Sequence, residues 1–233
     1  GQPHDPAGGG SMRPLRLRRE QTCQGPLVLI DRAHPLQEGA PPELVPVDRL
    51  HPQVLLERRA ARLLAACIRS VGGGRTIVPV SGWRSRAEQQ AIWDDTRARE
   101  GDAFTRQYVA LPGCSEHQTG LALDIVAAGY QILDEEQEDT AEQKWLMENS
   151  WKYGFILRYP SEKSDITGIG YEPWHYRYVG KAAAADIYRT GVCLEEYLSQ
   201  EGPEAELAPA QTIRQAAPAS GSMETAPQGA AAI

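Results

Sequence analysis

The chain has 233 residues, of which 41% are hydrophobic and 24% charged, as is typical of folded globular proteins. Its formal net charge of −7 argues against a dedicated nucleic-acid-binding protein, which would normally be basic. The longest apolar runs, LVLI at 27–30 and LLAACI at 63–68, are far shorter than the roughly 20 residues of a membrane-spanning helix. The sequence therefore predicts neither a nucleic-acid partner nor a transmembrane segment.

Both ends of the chain differ in composition from its middle. Residues 1–12, GQPHDPAGGGSM, look like a vector-derived remnant ending at Met12, and 1–21 is predicted to be a flexible N-terminus. The stretch from Pro203 onward is rich in Ala, Pro, Gly and Ser and has no aromatic residue, so 201–233 is predicted to be a disordered tail. One domain is expected between them, at 22–200.

Hydrophobic periodicity and turn residues predict the elements of that domain in chain order. The predicted elements are a strand at 25–31, a helix at 52–71, a strand at 76–83, a helix at 86–100, a strand at 121–126, a helix from the Thr140/Gln143 capping box to Gly154, a β-rich segment at 171–180, and helical turns at 181–191 and 193–200. Pro79 marks an edge strand or a bulge. Helices flanking a few short strands without regular βαβ alternation predict the α+β class.

Cysteine usage and the N-terminus bear on the compartment. Cys23, Cys67, Cys114 and Cys193 are widely spaced and form no CxxC pair, which favours reduced thiols over disulfides. No secretory signal is visible in the polar start. Together these features predict a cytoplasmic protein, although a leader or anchor removed from the N-terminus would change this.

Two of the five histidines lie in unusual segments, SEHQTGLALDI at 115–125 and YEPWHYRYVG at 171–180. Catalytic zinc needs three nitrogen or oxygen ligands and one open position, a set that His117, Asp124 and His175 supply. Asp124 lies inside an apolar run, where an unpaired carboxylate is costly and a metal would provide the opposite charge. The alternative is a buried aspartate bonded to the backbone.

A metal hydrolase also needs a base that is not itself a ligand. Glu172 stands three residues before His175, but Pro173 and the neighbouring aromatic residues favour a strand over the helical HExxH arrangement. Since strand residues three apart point to opposite faces, we expect a bulge near Pro173 to bring both side chains to one site.

Two further segments are candidates for the same site. SGWRS at 81–85 presents Arg84, either as a surface salt-bridge partner or as a stabiliser of a developing oxyanion. The acidic run DEEQED at 134–139 is expected to be a solvated loop, or else to lie near the site and influence substrate size.

Taken together, SGWRSRAEQQAIW, ALPGCSEHQTGLALDI, YGFILRYP and GYEPWHYRYVG resemble the LAS-type zinc peptidases, specifically the VanY/VanXY D-alanyl-D-alanine carboxypeptidases, over roughly 25–200. The resemblance implies a Hedgehog/DD-peptidase-like fold, with a small, mostly antiparallel central sheet flanked by helices. It implies Zn²⁺ held by His117, Asp124 and His175, with Glu172 as general base and Arg84 beside the scissile carbonyl. It also implies Gln89, Ser115 and the backbone near Val109 and Ala110 as contacts for the C-terminal D-Ala of the substrate. Trp174 is expected near the cleft because it lies between Glu172 and His175 in sequence.

This resemblance predicts a zinc D,D-carboxypeptidase that removes the C-terminal D-Ala of peptidoglycan precursor peptides. Cleavage of the free D-Ala-D-Ala dipeptide and a link to cell-wall remodelling and glycopeptide resistance are part of this expectation. The alternatives are an L,D-carboxypeptidase acting on tetrapeptides and a non-catalytic, zinc-stabilised binding domain of the same fold. Trp83 departs from the tyrosine that the family usually carries there.

Overall fold

The computed structural model describes residues 26–37 and 42–199. Its strands are β1 (Leu44–Pro46), β2 (Leu55–Glu57), β3 (Ile77–Ser81), β4 (Ala122–Ala127), β5 (Phe155–Leu157) and β6 (His175–Tyr178). Its α-helices are α1 (Arg58–Ser70), α2 (Arg86–Glu100), α3 (Asp102–Tyr108), α4 (Ala141–Asn149), α5 (Ser164–Thr167), α6 (Lys181–Thr190) and α7 (Leu194–Leu198). Four short 3₁₀ helices lie between them, at Glu116–Thr119, Glu135–Asp139, Ser150–Tyr153 and Ser161–Lys163.

A four-stranded sheet in the order β3-β4-β6-β5 forms the centre, and each neighbouring pair is antiparallel. β1 and β2 form a separate antiparallel pair. The register of the central sheet places Asp124 of β4 opposite Ser81 of β3 and opposite His175 of β6. The predicted α+β class with a small antiparallel sheet is confirmed, and the register brings distant motif residues side by side.

The prediction for the proline in β3 is also confirmed. β3 lies at the edge of the sheet, where a residue without a backbone N–H leaves no sheet hydrogen bond unmade. The pairing with β4 shifts between Pro79 and Ser81, which marks an irregularity at this point. The edge position and the irregularity therefore occur together.

The first predicted helix begins later than its apolar pattern suggests. Residues 55–57 form β2 instead, because Glu57 caps α1: its carboxylate accepts hydrogen bonds from the backbone N–H groups of Arg59 and Ala60. α2 agrees with the prediction at 86–100, with the Ser85 hydroxyl accepting a hydrogen bond from the Glu88 N–H. Capping thus explains where α2 begins, whereas the start of α1 reflects both its cap and the pairing of 55–57 with β1.

The predicted strand at 25–31 is not formed by the part of it that the structure describes. Val28 and Ile30 are buried in the main core, but residues 28–30 pair with no strand. The carbonyl oxygens of Pro26 and Val28 instead accept hydrogen bonds from the Arg177 guanidinium. The Arg177 side chain therefore supplies hydrogen bonds that a neighbouring strand would otherwise make.

The predicted capping box of the third long helix is formed on one side only. The Thr140 hydroxyl accepts a hydrogen bond from the Gln143 N–H, at the start of α4. The Gln143 side chain does not return to the cap; it donates to the carbonyl oxygen of Ile125 in β4. It therefore fastens the helix to the central sheet.

Several predictions about the chain ends remain untested. The flexible N-terminus at 1–21 and the disordered tail at 201–233 lie outside the described residues, and one domain at 22–200 stays a prediction.

Cys67, Cys114 and Cys193 are free thiols, and Cys23 lies outside the described part. Across 26–37 and 42–199, no helix has both the length and the apolar composition needed to cross a bilayer.

Candidate active site

Three buried side chains from the two histidine segments converge in space. His117 lies in the 3₁₀ helix at Glu116–Thr119, Asp124 in β4 and His175 at the first position of β6. One donor atom from each lies within 4.8 Å of the others. Asp124 Oδ1 is 3.4 Å from His117 Nε2 and 3.2 Å from His175 Nδ1. Two ligands held about 2.0–2.1 Å from a tetrahedral zinc ion would be about 3.3 Å apart, which the two distances from Asp124 match closely.

The second nitrogen of each imidazole is occupied by an acceptor. His117 Nδ1 donates to the Gly82 carbonyl oxygen at 2.8 Å, and His175 Nε2 donates to Glu116 Oε1 at 2.8 Å. Because a hydrogen bond at one ring nitrogen decides which nitrogen can ligate a metal, the other nitrogen of each ring points toward Asp124 with a lone pair for a cation.

Gly82 is required where its carbonyl meets His117. A Cβ on Gly82 would lie 2.4 Å from the Leu55 carbonyl oxygen, closer than such atoms approach. The next residue, Trp83, donates its backbone N–H to that same oxygen at 2.7 Å. The glycine thus lets β2 approach the end of β3, which fixes the acceptor for the imidazole.

The electrostatics of the site favour positive charge. Burial raises the pKa of Asp124, but interactions with His117, His175 and the Arg84 guanidinium outweigh it and hold that pKa below its usual range. Burial lowers the pKa of His175, but hydrogen bonds to Asp124 and Glu116 raise it to about 9. The two shifts show that the site favours a positive charge beside Asp124, which a metal ion would supply in place of a second proton on His175.

Glu172 lies beside the ligand set without belonging to it. Its Oε2 is 3.8 Å from His175 Nδ1, and its side chain is buried. Burial raises the pKa of the carboxyl group to about 8. The predicted bulge near Pro173 is wrong: residues 173–174 form a turn, closed by a hydrogen bond from the His175 N–H to the Glu172 carbonyl oxygen. The turn brings the two side chains to one side, which a strand would not do.

Arg84 is held in the wall of the site by three polar partners. Nη2 donates to Asp124 Oδ2 at 2.9 Å and to the Ser81 hydroxyl at 2.8 Å. Nη1 donates to Gln89 Oε1 at 3.1 Å, and Gln89 Nε2 donates to the Ala110 carbonyl oxygen at 2.9 Å. The guanidinium is therefore buried rather than a surface salt-bridge partner.

All ten residues that the sequence analysis proposed for the site border one cavity of about 680 Å³. Ser115 is among them, and its hydroxyl oxygen also accepts from the His117 N–H at 3.3 Å. Trp174 is buried and packs against Val126 and Leu133. Asp134, Glu135 and Glu136 also border the cavity, so half of the acidic run lies near the site rather than forming only a solvated loop.

Sequence reasoning missed several residues that contact this centre. Tyr159 borders the cavity, with its ring 4.8 Å from that of His175. Glu116 bonds the second nitrogen of His175, and Arg158 and Arg177 bond Glu116. The position of Glu116 directly before His117 was a usable signal, whereas the arginines lie 42 and 61 residues away in sequence.

With this geometry established, comparison with known proteins is informative. The VanY family, described as D-alanyl-D-alanine carboxypeptidase, matches residues 53–181, which is more than half of the chain. The bifunctional D-Ala-D-Ala dipeptidase and carboxypeptidase VanXYC of Enterococcus gallinarum is 40% identical over 175 residues, covering 73% of this chain and 92% of that protein. A D-alanyl-D-alanine carboxypeptidase of Enterococcus faecalis is 46% identical, and the match covers 53% of this chain and 48% of that protein. The chain thus spans about half the length of this relative.

Solved structures give the same assignment. The D,D-dipeptidase VanXYg, in complex with a D-Ala-D-Ala phosphinate analogue, has a TM-score of 0.70 at 39% identity and covers 78% of this chain and 73% of its own. A VanY D,D-pentapeptidase mutant in complex with Zn(II) has a TM-score of 0.66 at 36% identity, and the match covers 75% of this chain and 99% of that one. The L,D-carboxypeptidase LdcB has a TM-score of 0.64 at 38% identity, and the match covers 75% of this chain and 86% of that one. The chain belongs to the VanY D-alanyl-D-alanine carboxypeptidase family, whose members include zinc peptidases.

Proposed function

We propose that this protein is a zinc-dependent D,D-carboxypeptidase that hydrolyses the peptide bond before a C-terminal D-Ala. One observation carries the proposal: the donor atoms of His117, Asp124 and His175 converge beside a buried carboxylate, Glu172, that has no place in the ligand set. Such an arrangement separates the group that holds the ion from the group that moves protons.

We assign the ion to His117 Nε2, Asp124 Oδ1 and His175 Nδ1. Zinc bound by three protein ligands supplies Lewis-acid polarisation and lowers the pKa of a water ligand from 15.7 to about 7. Glu172 takes the proton from the attacking water as the C–O bond forms. It then delivers that proton to the nitrogen of the leaving amine as the C–N bond breaks, which yields free D-Ala and the shortened peptide. The raised pKa of Glu172 suits a group that both accepts and donates.

Arg84 is proposed to stabilise the negative charge that develops on the carbonyl oxygen. Its guanidinium borders the cavity and lies 2.9 Å from Asp124 Oδ2, so its charge is close to the reacting centre. Ser81 and Gln89 fix its orientation in advance, and a preorganised donor costs no rearrangement during the reaction.

The remaining cavity residues are proposed to hold the C-terminal D-Ala. Ser115 and Gln89 offer polar groups, the backbone at Val109 and Ala110 lines an adjacent wall, and Trp174 provides an apolar surface. This mixture of an apolar lining with a few convergent polar groups is common in small-ligand sites.

The size of the cavity favours peptides longer than a dipeptide. Its volume of about 680 Å³ lies within the range of about 300–1,000 Å³ that encloses drug-sized ligands. Thr96, Phe104 and Tyr108 border it together with the metal-ligand residues, so the space extends along α2 and α3. We propose that precursor peptides ending in D-Ala-D-Ala are substrates and that the free dipeptide fills only part of the space.

Two alternatives remain to be separated from this proposal. LdcB shows that an L,D-carboxypeptidase shares much of this chain's sequence and fold, which makes a tetrapeptide substrate the second candidate. A binding domain without catalysis is disfavoured because Glu172 and Arg84 are both present, buried and directed at one cavity.

A product assay by mass spectrometry tests the proposal. D-Ala-D-Ala, a precursor pentapeptide and the corresponding tetrapeptide are each incubated with the zinc-loaded protein, with and without chelator. We expect loss of one D-Ala from the pentapeptide, slower cleavage of the dipeptide, an intact tetrapeptide and no reaction with chelator. Cleavage of the tetrapeptide alone would establish the L,D-carboxypeptidase activity instead. If no peptide is cleaved in any sample, the protein is the non-catalytic binding domain.

The biological setting is proposed on the same basis. A role in glycopeptide resistance rests on the resistance proteins among the relatives, and it predicts a higher tolerated vancomycin concentration on expression in a susceptible host. A cytoplasmic location is a prediction from the sequence alone, which cell fractionation tests.

A further inference from the structure

A buried group of charged side chains lies on the side of His175 that does not face the cavity. It consists of Glu116, Arg158, Arg177 and Glu195, none of which borders the cavity. The side chains of Glu116, Arg158 and Arg177 are 1% exposed or less, and that of Glu195 is 11% exposed. We call these four residues the rear network.

Glu116 is the member that contacts the imidazole. Oε1 accepts from His175 Nε2 at 2.8 Å. Oε2 accepts from Arg158 Nε at 3.0 Å and from Arg177 Nη1 at 2.9 Å. Both oxygens are thus engaged, so the carboxylate can neither rotate nor shift without breaking a charge-assisted bond.

The two guanidinium groups are in turn fixed at their far ends. Arg158 donates from Nη1 and Nη2 to the two oxygens of Glu195, at 2.9 and 2.5 Å. Arg177 Nη2 donates to the carbonyl oxygens of Pro26 and Val28, at 2.8 and 2.6 Å. Two carboxylates and two guanidiniums balance in charge, which a buried group requires if it is not to be strongly destabilising.

The groups that bind the far ends of Arg158 and Arg177 lie outside the residues that match the family. That match covers 53–181, whereas Pro26 and Val28 precede it and Glu195, in α7, follows it. The network therefore connects the metal ligand to both ends of the described chain. Arg158 and Arg177 are 42 and 61 residues from Glu116 in sequence, so their contacts with it depend on the tertiary fold.

We propose that Glu116 is a positioning residue that orients His175 for metal binding and that Arg158 and Glu195 hold Glu116 in place. A carboxylate can only accept from Nε2, so the Nε2 proton is fixed there and Nδ1 faces the metal position. The inference rests on the proposed function in taking His175 as a ligand. It adds that metal affinity depends on charged groups that contact neither metal nor substrate.

The test compares zinc binding of Glu116→Gln, Glu195→Gln and Glu196→Gln with that of the parent, by competition with a chromophoric chelator and without substrate. Glutamine matches glutamate in size, but its amide must direct N–H groups either at His175 Nε2 or at the arginines. We expect a 10–100-fold higher zinc Kd for Glu116→Gln, the range seen when the outer partners of metal ligands are removed. Glu195→Gln should give a smaller loss in the same direction.

Glu196→Gln is the matched control. Glu196 is the neighbour of Glu195 on α7, but its carboxylate bonds Lys163 and the Cys193 backbone rather than Arg158. Its zinc Kd should equal that of the parent. The ¹⁵N shifts of the His175 ring in the metal-free protein provide a readout that general destabilisation would not change. They should move in the Glu116 variant and stay constant in the control.

A parental zinc Kd and unchanged His175 shifts in Glu116→Gln would overturn the inference. If that variant does not fold, Glu195→Gln decides, and a parental Kd there would equally overturn it. Because zinc binding is measured without substrate, a parent chain that binds zinc through His175 but cleaves no peptide would overturn the proposed function alone.

Discussion

Two buried glutamates contact the same imidazole from opposite sides, and their pKa values move in opposite directions. Glu172, on the cavity side of His175, has a pKa raised to about 8 by burial. Glu116, on the network side, is equally buried, but the charges of Arg158 and Arg177 hold its pKa well below the usual range. Burial alone makes a carboxyl group that can exchange a proton at neutral pH, whereas burial between guanidiniums makes a permanent anion.

The two sides of His175 therefore differ in character. The cavity side has an opening of about 680 Å³ and a carboxyl group poised to change its protonation. The network side has matched charges and no cavity residue. Changes on the cavity side should therefore alter turnover with little effect on stability, whereas changes on the network side should lower stability and zinc affinity.

The largest effect on turnover is expected from Glu172→Gln. Loss of the proton carrier should lower kcat on a D-Ala-D-Ala-terminated peptide by about 10²–10⁴-fold, while zinc content and thermal stability stay near parental values. Turnover by mass spectrometry and zinc by elemental analysis check both parts. A zinc-loaded variant with full activity would remove Glu172 from the reaction.

Arg158→Leu should give the largest loss of stability. It leaves the carboxylates of Glu116 and Glu195 buried without this partner, and breaking a buried ion pair costs about 3–5 kcal/mol of unfolding free energy. Arg58→Leu is the control, since Arg58 pairs with Glu43 on the surface with both side chains more than 60% exposed. We expect a much smaller loss there, because water solvates both charged groups when the pair is broken. Urea denaturation measures both, and equal losses would contradict the contrast.

An intermediate effect is expected from Gly82→Ala, which acts on the backbone that holds His117. The new Cβ would meet the Leu55 carbonyl oxygen, so the chain must shift and the carbonyl that holds His117 Nδ1 moves with it. We expect a stability loss of about 1–3 kcal/mol, as for other overpacked sites, together with weaker zinc binding.

Gly129→Ala serves as the comparison for Gly82→Ala. Gly129 is exposed, and a Cβ built on it meets nothing within 4 Å. Its unfolding free energy and zinc Kd should stay parental. Parental behaviour of both glycine variants would show that the approach of β2 to β3 does not depend on this position.

The smallest perturbation is thiol alkylation at pH 8. Burial raises the pKa of Cys67 to about 12, which leaves only about one part in ten thousand as the reactive thiolate. Burial also raises the pKa of Cys193 to about 11, whereas Cys114, next to Ser115, is only partly buried. Among the three described cysteines, peptide mapping after iodoacetamide should find Cys114 modified first. Rapid labelling of Cys67 in the folded protein would contradict the closed interior.

The sequence predicted which residues lie together on the cavity side far better than those on the network side. His117, Asp124, Glu172 and Arg84 could be found because the chemistry of a metal hydrolase demands particular residue types, and the apolar surroundings of Asp124 made it conspicuous. The strand of Asp124 and the helix at 86–100 were also predicted well, because their patterns and caps are local.

The network side depends on long-range pairing, which no local pattern reveals. Arg158 and Arg177 look like ordinary exposed arginines in sequence, and both are fully buried. The strand predicted at 25–31 failed for the same reason, since its carbonyl groups are satisfied by Arg177 rather than by a strand. The turn at 173–174 replaced a predicted bulge because the hydrogen bond that closes it decides the direction of Glu172.

The position of Glu195 near the end of the described chain has a consequence for biosynthesis. Arg158 emerges from the ribosome before the helix that carries Glu195, so until α7 is made Arg158 can pair with Glu116 but lacks its second carboxylate partner. The wall behind His175 can therefore be completed only after α7 has been synthesised, and tight zinc binding through His175 should depend on that helix being in place.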